Sequence, residues 1–232
     1  MEKYQLHWIV GISEGKIKNM MYAMWDWLVK GGPVMIPIVG FSIVVCALIV
    51  ERFVYFHKIQ HNTEEFIEKI TELLEQGKIN EAQQLCESVS SPLARILNTG
   101  IFTLQKNPQL IRERIHEVVL DEMPKLEKYL SLISTIATIE PMLGLLGTVT
   151  GMIRCFTVIA LKGTGDPQSL AGGISEALIT TEAGLIVAIP ILYLHNVLSD
   201  KVEHIVSSME KGTARFIAMT EDGRRETVGG RR

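Results

Sequence analysis

The chain is poor in the residues that soluble chemistry most often uses. Cysteine occurs three times, at Cys46, Cys86 and Cys155, with no CxxC pair, which argues against a disulfide framework or a thiolate zinc site. His57, His61, His116, His195 and His204 are dispersed, so no metal-ligating cluster is read. There is no GxxxxGK[ST] stretch and no GxGxxG after a strand pattern, which leaves a phosphate-cradling loop without support. No nucleophile, base and oxyanion set stands together, so an enzyme is not expected. Neither is any cofactor. A formal net charge of -3 gives no basis for nucleic-acid binding. The first thirty residues lack the order of basic, apolar and small cleavage-site residues that marks a removed signal peptide.

What the chain does have is long apolar runs free of charge. Hydrophobic residues make up 47% of it and charged residues 21%, with a mean hydropathy of +0.22. Polar and apolar parts must therefore be segregated, as in a membrane protein with a soluble part. Pro33 to Val50 carries no charge and is closed by Glu51-Arg52. With Phe53, Tyr55 and Phe56 it reaches across about 30 Å of hydrocarbon. Tyr129 to Leu161 carries only Glu140 and Arg154, and as one helix would be about 50 Å long. A third apolar run extends from Gly173 to Leu198. KGTGDPQSLAGG between the last two is short, polar and turn-rich, which predicts an antiparallel hairpin.

The expected layout is an all-α membrane protein with three transmembrane helices and long helices extending into the cytoplasm. Residues 1–32 form an amphipathic segment on the outer, periplasmic side. The spans are 33–56, 129–161 and 173–198. A helical insert covers 57–128, a short periplasmic loop 162–172 and a cytoplasmic tail 199–232. In the insert, Asn62 or Thr63 can cap a helix that Gly77 stops, and Ser91-Pro92 and Asn107-Pro108 read as caps with proline at the first helical position. The last insert helix, with Pro124 as a candidate kink, is expected to feed directly into the second span. Lys and Arg are concentrated in the insert and tail, which puts both inside and the N-terminus outside. Trp8, Trp25 and Trp27, with Met20, Met21, Tyr22 and Met24, suggest a helix lying at the outer membrane interface.

Polar groups inside the spans are the candidate functional residues. A charge at the bilayer centre costs about 2.5–3.5 kcal/mol on insertion scales, so Glu140, Glu182, Glu176 and Arg154 need partners, protons or water. At 100° per residue Ser131, Ser134, Thr135, Thr138 and Thr148 fall near one stripe of the second span. Gly144, Gly147 and Gly151 fall on another, with Glu140 on the glycine side. The glycine stripe suits close helix packing, and the hydroxyl stripe suits a shared interior. Each hydroxyl also has a plain reading as packing glue or a bond to its own helix. In the hairpin Thr148 and Thr181 come to similar depths, and Arg154 and Glu176 both lie towards the outer end, where they can pair.

Two stretches carry a family resemblance. TIEPMLGLLGTVTGMI (Thr138 to Ile153), followed by GISEALITTEAGLIVAIPILYLHN (Gly173 to Asn196), resembles the MotA/TolQ/ExbB proton-channel family. PVMIPIVGFSIVVCALIVERFVYF resembles its first span. The three-span layout is similar to the ExbB and TolQ branches rather than to MotA. The resemblance implies an inner-membrane, ion-driven motor subunit that forms a homopentamer in lipid. It implies a dimeric single-span partner of the ExbD/TolR type, whose membrane aspartate takes and releases protons. It further implies that Thr148 and Thr181 face that aspartate, that Glu176 belongs to the proton pathway, and that Pro190 matches the family's AIP proline. Glu140, Glu182 and Arg154 stand where many members carry small, apolar or neutral residues, and so mark a departure in branch, pore or coupling ion. A TonB-like energy transducer would be the receiver if the chain is ExbB-like, and Tol-Pal components if it is TolQ-like. A non-conducting membrane scaffold is the reading from another class.

Overall fold

Helices make up all the regular structure in the computed structural model, which describes residues 26–59, 63–163 and 167–229. A short helix over 26–30 is followed by α1 (Met35–Ile59), α2 (Thr63–Glu75), α3 (Ile79–Ser88), α4 (Pro92–Lys106), a 3₁₀ turn (Pro108–Leu110), α5 (Ile111–Glu127), α6 (Leu130–Lys162) and α7 (Pro167–Gly229). Three of them, α1, α6 and α7, contain stretches long and apolar enough to cross a membrane. The chain is an all-α membrane protein. The expected interfacial helix around Trp8, Met20 to Met24 and Trp25, and the cap at Asn62, lie outside the described residues.

Local chemistry sets several helix ends. Ser91 sits in extended backbone (φ -118°, ψ 154°), and its Oγ accepts from the Ala94 N–H at 3.1 Å, while Pro92 occupies the first helical position. Gly77 adopts φ 72° just beyond α2, a conformation that costs glycine little. At Asn107 the proline that follows starts the 3₁₀ turn, with no side-chain cap from the asparagine.

The junction before the second span differs from expectation. The last insert helix does not run straight on: α5 stops at Glu127, and Tyr129 takes φ 67° before α6 begins. A bulky residue in that region costs about 1–3 kcal/mol, so neighbouring contacts must over-determine it. Arg52 supplies them. It is buried, it donates from Nη1 to the Lys125 carbonyl at 3.1 Å, and its guanidinium lies 5.4 Å from the Tyr129 ring centroid and 4.6 Å from that of Tyr55. The Lys125 carbonyl belongs to the last turn of α5, where helical donors run out. Periodicity cannot reveal this break, because the apolar pattern continues across it. At the other end, α7 starts at Pro167, within the segment expected as loop, and stays helical through residue 229.

The chain divides into two compact units. One is the stretch up to Ala47 with Leu132–Tyr193; the other is Leu48–Ser131 with Leu194–Arg232. In the second, Ile67, Ile70, Ile96, Leu97, Ile101 and Phe216 are buried, each contributing roughly 1.5–3 kcal/mol by leaving water. Two glycines let helices close in: a Cβ on Gly100 would lie 2.6 Å from the Phe216 ring, and one on Gly212 would lie 2.8 Å from Leu93. In the first unit Met35, Ile38 and Ala183 form a core against which Trp27, Leu28, Leu143 and Val187 pack.

One buried ion cluster ties α4 to α5. Glu122 is 2% exposed, receives hydrogen bonds from Arg95 Nε at 2.9 Å and Nη2 at 2.5 Å, and pairs with Lys125 at 2.7 Å. Burial pushes its carboxyl up, but hydrogen bonds from Arg95 and Lys125 outweigh that and hold it below the ordinary glutamate range. A carboxylate depressed in the folded state contributes stability that is complete above its unfolded value, about 4.3. That contribution is lost as pH falls through the lower, folded value. Glu122→Ala is expected to cost about 1–3 kcal/mol at neutral pH. The deficit should shrink under acid, as measured by the helical circular-dichroism midpoint in detergent at neutral and acid pH.

Candidate functional site

The site grows out of the contact between α6 and the first half of α7. Lipid tails are as apolar as leucine, so helices in a bilayer gain little from burying leucine against each other and rely on close packing. The glycine stripe serves that need. A Cβ on Gly144 would lie 3.0 Å from Thr181 Cα, and one on Gly151 would lie 2.8 Å from Ala177 Cβ and from the Gly173 carbonyl. On Gly147 it would overlap the Thr180 side chain. From the other helix, a Cβ on Gly184 would lie 2.6 Å from the Glu140 carbonyl oxygen. Residue pairs 140/184, 144/181, 147/180 and 151/177 therefore set an antiparallel register. Thr180, fully buried in this seam, donates to the Glu176 and Ala177 carbonyls at 3.0 and 2.9 Å.

This register sorts the remaining polar groups onto two flanks. Thr148 follows Gly147 and Thr181 follows Thr180, and one residue turns each helix by about 100°. On antiparallel helices that turn carries both threonines to the same side. The Thr181 hydroxyl crosses the seam to donate to the Gly144 carbonyl at 3.0 Å. The half-buried Thr148 hydroxyl donates to Leu145 of its own helix at 2.6 Å. Both protons are committed, so both oxygens present lone pairs outward.

Arg154 and Glu176 lie on the opposite flank. Arg154 Nη1 donates to Glu176 Oε1 at 2.5 Å and Oε2 at 2.7 Å. The arginine side chain is 51% exposed and the glutamate 16%. Gly32, at φ 70°, brings the turn before α1 against the glutamate; a Cβ there would overlap the Glu176 carboxylate. The structure thus brings Thr148 near Thr181 and Glu176 near Arg154, and separates the two groupings by the width of the seam. Glu140 lies in the seam, fully buried, with neither carboxylate oxygen hydrogen-bonded among the described residues. Glu182 and Pro190 are exposed on α7. Among the described residues no three His, Cys, Asp or Glu side chains gather as a metal site.

Sequence reasoning passed over Gly32, Thr180 and Gly184. Gly184 and Thr180 lie within the quoted third-span stretch, but only the register shows that they complete the seam. For Gly32 the Gly31-Gly32-Pro33 turn signal was present, without any indication of what the turn would cover.

Comparison with known proteins adds an independent line. A sequence model of the MotA/TolQ/ExbB proton channel family matches residues 88–211. The biopolymer transport protein ExbB-like 3 of Synechocystis sp. is 34% identical over 169 residues, covering 72% of this chain and 80% of that protein. An ExbB homolog of Methanothermobacter thermautotrophicus is 29% identical over 193 residues, 83% of this chain and 68% of the relative. The Tol-Pal system protein TolQ of Haemophilus influenzae is 38% identical over 84 residues, 36% of this chain and 37% of its own.

Two outcomes are expected from this geometry. Gly147→Ala should destabilise the hairpin by roughly 1–3 kcal/mol through overpacking, whereas Gly40→Ala should not, because nothing lies within 4 Å of a Cβ there. Thermal unfolding midpoints in detergent distinguish them. Arg154→Gln and Glu176→Gln should each lower assembly yield, and the charge-swapped pair Arg154→Glu with Glu176→Arg should recover part of it. Full assembly of both single variants would remove the ion pair from the account.

Proposed function

Because the chain belongs to the MotA/TolQ/ExbB proton channel family, we propose that it is a channel and motor subunit of the inner membrane. In this reading it couples the proton motive force to TonB-dependent transport across the outer membrane. It acts as a homopentamer around a dimeric, single-span partner of the ExbD type, whose carboxylate carries the proton. The insert and C-terminus lie in the cytoplasm and the N-terminus in the periplasm, following the Lys and Arg distribution.

The observation that carries this reading is the hydroxyl flank of the α6–α7 seam. Thr148 and Thr181 donate their protons to backbone carbonyls, so each oxygen is left as an acceptor. An acceptor pair favours a protonated partner carboxyl, which has an O–H to give, over a carboxylate, which has none. Protonation from the outer side then allows the neutral acid to dwell beside the threonines and to pass the apolar wall formed by residues such as Leu145, Val149 and Leu178, all exposed on the protomer. Release on the inner side restores the charge. The membrane field contributes about 2.3 kcal/mol per charge per 100 mV, and each proton moves the pentamer by one step around the partner pair. Glu176 belongs to the opposite flank, where Arg154 holds it; its part is to fix the outer end of the hairpin or to relay protons there.

A second reading has its own support. The resemblance to a Tol-Pal system protein TolQ fits the same channel serving envelope constriction. A neighbouring gene for a TonB-like protein or for Tol-Pal components separates the two.

The test is native mass spectrometry of the chain co-expressed with its single-span partner, followed by proton flux in vesicles. Five copies holding two of the partner are expected. Thr148→Val and Thr181→Val should each slow flux about tenfold, the equivalent of one hydrogen bond of about 1.4 kcal/mol, with the complex intact. A monomer or dimer indifferent to the partner, or no flux above that of protein-free vesicles, would favour the scaffold reading, whereas flux unchanged in both variants would remove the threonine flank from the pathway.

A further inference from the structure

Among the described residues Glu140 is the one fully buried acid in the seam between α6 and α7, and the proposed channel mechanism makes no use of it. It has no exposure to solvent, and both carboxylate oxygens are buried without a hydrogen-bond partner among the described residues. Three responses are open to a carboxyl in a membrane helix: water, a counter-ion or a proton. Burial within the protomer removes the first. No cationic side chain partners it among the described residues, which removes the second. From 131 to 153, α6 carries no other ionisable side chain, and α1 carries only Cys46 between 33 and 50. On α7 the residue opposite is Gly184, while the nearby Glu182 is turned about 200° away from it and is exposed. Arg154, about 21 Å further along α6, is engaged by Glu176.

The helix itself supplies an acceptor. Pro141 lies inside α6 and has no N–H, so the carbonyl four residues back, that of Ala137, loses its helical donor. Ala137 is buried as well, at 6% exposure, so water does not replace that donor. Side chains in a helix lean towards its N-terminus, which takes the Glu140 carboxyl back along α6 towards the turn containing Ala137. A carboxylate can accept only, and would add a second unpaired acceptor to that turn. A neutral acid carries one O–H and can donate it.

We propose that Glu140 is a proton-binding site belonging to the chain itself, holding its proton as a neutral acid within the α6–α7 seam. It is separate from the flank of Thr148 and Thr181 and from any carboxyl that a partner brings. Its own backbone carbonyl packs against Gly184, so water reaches the carboxyl only when that contact parts. Proton exchange at Glu140 therefore reports opening of the seam. The assignment rests on burial and on the proline, and holds whether or not the assembly conducts.

The experiment is infrared spectroscopy of the full chain alone in lipid vesicles at neutral pH. A carbonyl band of a neutral carboxylic acid, above the amide I band, is expected in the wild-type chain. It should be lost in Glu140→Gln and retained in Glu182→Gln. Gln is close in shape to the neutral acid and can also donate, so the helical signal of Glu140→Gln should match wild type. Absence of the band from the wild-type chain overturns the assignment without any variant, as does a band that survives Glu140→Gln or disappears with Glu182→Gln. A band that appears only when sodium is withdrawn overturns it too, because the carboxyl is then a cation ligand. Failure of the channel reading would instead appear as missing flux with this band intact.

Discussion

The closeness of two backbones governs the membrane part of this protein. In water, α6 and α7 could be joined by burying leucine. In lipid that gain disappears, and contact has to come from dispersion at short range and from hydrogen bonds across the seam. Gly144, Gly147, Gly151 and Gly184 remove the side chains that would hold the helices apart. The result is a contact in which backbone meets backbone, with the Thr181 hydroxyl able to reach the Gly144 carbonyl directly. Larger side chains at those positions would separate the helices and break that bond.

Once the register is set, the polar groups have little choice of place. Residues adjacent to the seam are turned to one flank or the other by helical geometry alone. Thr148 and Thr181 fall on one side and the charged pair on the other. This separation matters physically. On the proposed function, a guanidinium beside the threonines would attract and hold a partner's carboxylate, opposing the neutral dwell that the hydroxyl acceptors would favour. Arg154 lies on the far flank against Glu176, whose carboxylate meets the Gly32 turn, and a strong positive charge is thereby kept away from the two threonines.

Much of this could be read from the sequence. The three spans, the glycine stripe and the Arg154–Glu176 pairing follow from charge-free length, 3.6-residue periodicity and relative depth. Ser91-Pro92 announced its helix start because a hydroxyl acceptor and a fixed φ act locally. Other features depend on distant neighbours and left no such trace. Tyr129 adopts its left-handed backbone because Arg52, far off in sequence, grips the Lys125 carbonyl and faces the ring. The hydroxyl stripe showed that Thr148 could face an interior, but not that its proton was already given to Leu145. Glu140 could be placed on the glycine side. That it lies wholly inside the seam, beyond water and cations alike, required the packed structure.

Two of the ionisable groups within the spans follow a common logic. Arg154 and Glu140 introduce ionisable groups into helices where each is costly, and each is placed where it leaves the hydroxyl flank electrically quiet. Arg154 is neutralised locally by Glu176. Glu140 is enclosed by the seam itself, next to a carbonyl that Pro141 has deprived of its donor. A polar group in the wall of a hairpin is tolerated when it completes a hydrogen-bonding need that the backbone cannot meet. The proline and the acid beside it are therefore best understood together: the first leaves a carbonyl without its helical donor, and the second, in its neutral form, has an O–H to offer in the same stretch of helix.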